Sequence, residues 1–230
     1  MRNYLYISDS KVDTYLGQFD NSEKRSIAGR LGIHVGVLQA SAEVKQLPVT
    51  NRIHRLDAVE NHIRTQGTVG GLDDETPWVE ATMEMTGAYF PEAPDVMFFF
   101  RSDRERFAGI VGSRHHIIGN VRAIEMTSSI SHLGTLLASL EPVLNKYAYM
   151  VTKSDSALQH QLEVGVSRSS LHASSWVPVM MQVEEQFRDE QTQRLSFLAR
   201  RLVKDEIRGG ARKYTLATPL YVTADDVYEP

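Results

Sequence analysis

Five consecutive apolar residues, Val96-Met97-Phe98-Phe99-Phe100, stand between Asp95 and Arg101. A strand with one wet face alternates, so an unbroken apolar run describes a strand buried on both faces. Such a strand needs packed structure above and below it, which a chain of 230 residues is long enough to supply. Five residues fall far short of the roughly 20 that a membrane-spanning helix requires. The run therefore marks a core.

Other strands surround it. Residues 3–8, 33–39, 107–111 and 215–222 carry strand patterning, and with 95–101 they are expected to share one sheet. Residues 95–101 and 107–111 are separated by a polar turn and read as an antiparallel hairpin. Weaker strand signals lie at 78–86 and 116–121. Residues 68–77, with Gly70-Gly71 and Asp73-Asp74, are a loop. Pro219 interrupts or edges the last strand.

Helices fill the intervals. Asp9-Ser10 offers a cap before a short helix containing Val12, Tyr15 and Leu16. A second helical piece covers Ile27 and Leu31, and a clearer one begins at Thr50, with Ile53, Leu56, Val59 and Ile63 at helical spacing until Gly67. Leu133 to Tyr147 forms an apolar stripe that Pro142 should kink or break. Val183, Phe187, Leu195, Leu198 and Leu202 give a long helix over 179–207, ended by Gly209-Gly210. Residues 153–176, rich in Ser and His, receive no assignment. Strands at both chain ends, with no internal repeat or linker, predict one domain over residues 1–230. Its expected class is α/β, with α+β as the other arrangement: a mixed sheet flanked by helices, with the long C-terminal helix before the last strand.

Composition narrows function mainly by exclusion. Hydrophobic residues at 42% and charged residues at 23% rule out a disordered chain, a collagen-like repeat and a simple coiled coil. Cysteine is absent, which removes disulfides, thiolate catalysis and Cys-ligated metal sites. The net charge of −4 argues against global attraction to nucleic acid. A basic cluster from Arg200 to Lys213 is read as the solvated face and end of a helix. Asn3 enters a strand pattern directly, without a secretory leader's basic start and apolar core, so a cytoplasmic protein is expected.

Two strand ends carry the suggestive chemistry. The first is Ser8-Asp9-Ser10-Lys11, where a strand passes into a helix. Asp9 and Ser10 either cap that helix or, with Lys11, present hydroxyl and charge to an anionic ligand. The second is Gly112-Ser113-Arg114-His115-His116. Here Gly112 permits close backbone approach, Ser113 and Arg114 suit a phosphate, and a His can move a proton. The alternative is an ordinary turn with one buried and one exposed His. His115 breaks the Gly-x-Ser-x-Gly nucleophile elbow, and the Gly-Lys-Ser/Thr ending of a P-loop is missing. His54 and His62 are eight residues apart and His115 and His116 are adjacent, so no metal site is expected.

Tyr4-Leu5-Tyr6-Ile7-Ser8-Asp9-Ser10-Lys11-Val12-Asp13, Val111 to Gly119 and Ala217-Thr218-Pro219-Leu220-Tyr221-Val222 recur together as a familiar pattern. In order and spacing they resemble an uncharacterised family of unknown function, common in actinobacteria, whose members have about this length. The resemblance covers most of the chain. It implies a bacterial cytosolic protein with a single domain, and it assigns no catalytic residue.

The functional expectation is a binding or sensor module for a small anionic ligand, such as a nucleotide. Its site lies between Asp9–Lys11 and Gly112–His116, provided the two strands before them run in the same direction. One alternative is a phosphoester hydrolase with His115 or His116 as general acid/base and Ser113 or Lys11 holding charge. Another is an interaction subunit, as a homo-oligomer or with a protein partner, docking through the long C-terminal helix. No cofactor, membrane or nucleic-acid partner is expected.

Overall fold

The computed structural model describes residues 2–19, 49–90, 93–118, 184–185, 187, 190–206 and 212–225. Seven strands and two helices organise these residues: β1 (Asn3–Ile7), α1 (Asp9–Gln18), α2 (Val49–Thr65), β2 (Val69–Gly70), β3 (Trp78–Phe90), β4 (Ala93–Ser102), β5 (Arg106–Ser113), β6 (Thr192–Glu206) and β7 (Lys213–Ala224). Strands β3, β4 and β5 form an antiparallel meander. Strand β5 pairs parallel with β7. Strand β6 runs antiparallel to both β7 and β3, closing a five-stranded barrel. Strand β1 lies antiparallel against the last third of β7, and β2 pairs parallel with the start of β3.

Period-two alternation sorts the side chains. Val79, Met85, Phe99, Ile110, Leu195, Phe197, Ala199, Ala217 and Val222 come from all five barrel strands and form one buried cluster, the lumen. A second cluster lies outside. Leu198, Leu220, Tyr221 and Trp78 meet Val12 and Leu16 of α1 and Leu56, Val59 and Ile63 of α2. Those three α2 residues are the helical stripe read from sequence, and Gly67 follows the helix at φ +65°, a conformation glycine adopts freely.

The aromatic run is buried on both faces, as its continuity predicts. Phe98, Phe99 and Phe100 are all buried. Phe99 points into the lumen, while Phe100 stacks on Phe107 at 5.8 Å, and Phe107 on Tyr214 at 6.2 Å. The hairpin and the return of the last strand beside the first are also present.

The α/β expectation is overturned. Two pairings are parallel, so the sheet is mixed, but it closes into a barrel instead of forming an open layer between helices. Residues 192–206 are strand, where a long C-terminal helix was expected. Leu195, Leu198 and Leu202 fit helical spacing, yet Leu195, Phe197 and Ala199 alternate, and pairing along both edges favours the strand. Leu195 and Leu198 are both buried, but on opposite faces of the barrel wall. Docking through a long C-terminal helix is lost with the helix. Within the strand signal at 116–121, His116 ends a 3₁₀ turn over Arg114–His116 and Ile117 makes a single bridge, while residues 119–121 lie outside the described residues. The strand expected at 33–39, the helices expected around Ile27 and over Leu133 to Tyr147, and residues 153–176 lie outside the described residues.

One buried carboxylate ties the N-terminus, α2 and β7 together. Glu60 accepts hydrogen bonds from Arg2 at 2.6 Å, from Arg64 at 2.8 Å and from the Tyr221 hydroxyl at 3.3 Å. Burial pushes its pKa up, but the Arg2 and Arg64 guanidiniums outweigh that and hold it below the ordinary 4.5. Its stabilising contribution is therefore complete above pH 4.5 and disappears as pH falls through the lower folded value. Chemical denaturation should show Glu60→Gln less stable than the parent by about 1.5–3 kcal/mol at pH 7. That gap should shrink steadily on acidification below pH 4.5. A gap that does not change with pH would contradict the ionised pairing.

Candidate functional site

One edge of β7 is shared by two strands placed end to end. Strand β5 follows it up to the Ile110–Ala217 pair, and β1, running the opposite way, follows it from Tyr221 to Ala224. Between them lies Thr218-Pro219-Leu220, and Pro219 has no N–H to offer a ladder. The start of α1 fills this gap. The Ser8 N–H donates to the Leu220 carbonyl at 2.9 Å. The Lys11 ammonium donates to Thr218 Oγ1 at 2.8 Å, the Pro219 carbonyl at 3.2 Å and Ser8 Oγ at 3.4 Å.

The same arrangement brings the two sequence segments together without the condition placed on them. Their strands run in opposite directions, and their C-terminal ends meet head-on because both occupy one edge of β7. Beyond β5 the 3₁₀ turn delivers His116 to α1, and Ile118 then donates to the Leu5 carbonyl at 2.8 Å. His116 is 4% exposed. Its Nε2 lies 3.3 Å from Ser10 Oγ and its Nδ1 lies 3.8 Å from Asp9 Oδ2. Arg52 of α2 grips the same Asp9 carboxylate with two bonds, at 2.9 and 2.6 Å. Ser8 Oγ sits 3.4 Å from Ser10 Oγ and 3.4 Å from Lys11 Nζ, linking the two.

Of the eight residues singled out by sequence, Asp9, Ser10, Lys11 and His116 form this group. Gly112 and Ser113 stand behind it. A Cβ at Gly112 would lie 2.5 Å from the Tyr6 hydroxyl, so the close approach that glycine permits is made by a phenol of the core. Ser113 is buried; its backbone binds the Tyr6 hydroxyl and its side chain accepts the His115 N–H at 3.4 Å. Arg114 is half-buried on the turn. His115 is exposed and meets the group through the His116 ring, at 5.6 Å between centroids. Sequence reasoning gave no role to Tyr6, Arg52 or Thr218, and named Ser8 only as part of the junction. Ser8 three residues before Lys11, on one helical face, was a local signal; Arg52 and Thr218 arrive by tertiary structure alone.

Protonation states follow from the surroundings. Burial pushes the Asp9 carboxyl up, but His116 and Arg52 outweigh it and keep Asp9 ionised. Burial pulls the His116 imidazole below its usual 6.5 against the opposing pull of Asp9, so it is neutral at pH 7. Lys11 is lowered to about 8, because burial strips water from the ammonium and Arg200 adds like charge.

The folded chain thus holds the Lys11 proton less firmly than the unfolded chain, where the ordinary value is 10.5. Stability should rise as pH climbs from about 8 to 10.5, and Lys11→Met should lack that component. Urea unfolding of both proteins at pH 7.5 and pH 10 measures the difference; parallel pH responses would assign Lys11 an ordinary pKa.

Comparison with known proteins adds kinship without activity. A model of a family of unknown function matches residues 2–226. No curated protein and no solved structure matches the chain.

Proposed function

The chain belongs to that family, DUF7019, whose function is unknown, and we propose from the site itself that the protein binds a small anionic ligand. The ligand class is one bearing phosphate or carboxylate, nucleotides included. One observation carries this reading: the Lys11 ammonium is held by three neutral oxygens. Among the described residues no carboxylate lies within ion-pair distance of it, and the nearby Arg200 raises the local positive charge.

A largely desolvated cation without a counter-ion is costly, and an anion at Lys11 would relieve that cost. Asp9 does not compete for the role, because Arg52 already neutralises it. The hydroxyls of Ser8 and Thr218 touch the ammonium and can donate to the same anion. The first turn of α1 adds backbone N–H groups and the positive end of a helix dipole.

Titration calorimetry with inorganic phosphate and with AMP tests the proposal. Binding should take up protons near pH 8, since an anion raises the Lys11 pKa, and should weaken as pH rises further. Lys11→Met should weaken binding by about tenfold to a hundredfold, the loss of one charge-assisted bond. Equal affinity in Lys11→Met, or binding indifferent to pH between 7 and 10, would remove the site.

A further inference from the structure

Ser10, His116 and Asp9 form a line that simple anion binding leaves unused. Ser10 is half-buried, while His116 is nearly fully buried. The His116 Nδ1 atom is buried with no hydrogen-bond partner among the described residues, and it faces Asp9 Oδ2 at 3.8 Å. A neutral imidazole carries one N–H, and the Asp9 carboxylate favours its placement on Nδ1. Nε2 is then an acceptor, and at 3.3 Å the group it faces is the Ser10 hydroxyl. Arg52 holds Asp9 with two hydrogen bonds, so the end of the line is fixed by a rigid fork.

We propose that Ser10 is a nucleophile, activated by His116 and oriented through Asp9, which hydrolyses a carboxylic ester of a small anionic molecule. The charged end of that substrate rests on the anion site at Lys11. Ser8 Oγ lies 3.4 Å from both Ser10 Oγ and Lys11 Nζ, so a carboxylate on Lys11 stands a few bonds from an ester carbon at Ser10. Ser10 Oγ bonds to the carbonyl carbon as its proton passes to His116 Nε2. The tetrahedral adduct collapses, the C–O bond to the alcohol breaks, and that alcohol leaves with the same proton. Water then attacks the acyl-Ser10 by the same route, freeing the acid and restoring the hydroxyl.

Geometry favours acyl over phosphoryl transfer. In a phosphoryl transfer the attacking and leaving oxygens lie roughly in line on opposite sides of phosphorus, so one imidazole cannot serve both. At a tetrahedral carbon both oxygens fall on the side facing His116. The spacing from Nδ1 to Asp9 exceeds a hydrogen bond, as is common before substrate closes a site.

The groups facing His116 are Asp9 and Lys11 from α1, His115 from its own turn and the Tyr6 phenol from β1, with Arg52 of α2 behind Asp9. Burial, Lys11 and His115 pull the imidazole down, and Asp9 opposes them. The rate should therefore climb through a pKa below 6.5. With an anionic ester it should fall again near pH 8 as Lys11 deprotonates.

The probes are mono-p-nitrophenyl succinate and p-nitrophenyl phosphate, and the wild-type protein is quenched for mass spectrometry of the peptide containing Ser10. The expected result is succinate-ester hydrolysis with a succinylated Ser10. Ser10→Ala and His116→Gln should fall to background. Asp9→Asn should lower kcat by a factor on the order of 10³ to 10⁴ and flatten the acid limb, as expected of a positioning residue. Lys11→Met should raise KM for the succinate ester. An unmodified Ser10 with wild-type turnover equal to that of Ser10→Ala would overturn the nucleophile, even if phosphate still binds at Lys11. Turnover of the phosphate ester in place of the succinate ester would overturn the substrate class. Loss of phosphate binding in the wild type, with Ser10 still acylated, would overturn the anion site instead.

Discussion

The barrel closes only because Thr192–Glu206 pairs along both of its edges, with β3 on one side and β7 on the other. That double pairing fixes the register of the β3–β4–β5 meander relative to β7. Across one seam the Thr82 and Ser196 hydroxyls meet at 2.7 Å; across the other, Thr223 donates to the Ser196 carbonyl at 3.2 Å. Once β7 has β6 on one edge, its other edge is left for both β5 and β1. The two strands divide it, and the division falls at Thr218-Pro219-Leu220.

A break in a ladder leaves backbone groups that must find partners. Here the partners come from α1. Ser8 N–H takes the Leu220 carbonyl and the Lys11 ammonium takes the Pro219 carbonyl. Plugging the gap with a helix N-terminus draws a lysine, two serines and a threonine into a half-buried space, and the turn after β5 adds a histidine. The chemistry proposed for this site thus follows from how one strand edge is shared.

The local part of this architecture was legible in sequence. The run Val96 to Phe100 announced a strand buried on both faces, and Ile53, Leu56, Val59 and Ile63 announced α2, because both signals depend on neighbours in the chain. Residues 192–206 were not legible in the same way. Their Leu, Arg, Lys, Glu and Gln content favours helix, and Leu195, Leu198 and Leu202 fit that period as well as Leu195, Phe197 and Ala199 fit a strand. Partners more than 100 residues away in β3 decide the matter, and nothing local encodes them. The site shows the same split. Asp9, Ser10, Lys11 and His116 were visible as chemistry at strand ends. That Gly112 makes room for Tyr6, and that Arg52 and Thr218 complete the group, depends on strand order alone.

Closure by β6 is tested most directly by a cross-link, which the absence of native cysteine makes clean. Thr82 and Ser196 are register partners, and such pairs have Cα atoms about 4.5–5.5 Å apart, within disulfide reach. Thr82 and Arg200 are offset by four residues, roughly 13 Å along the strand. Thr82→Cys with Ser196→Cys should form an intramolecular disulfide under mild oxidation in the folded protein, while Thr82→Cys with Arg200→Cys should stay reduced. Two reduced pairs, or a cross-link in the second pair alone, would contradict a barrel closed by this strand.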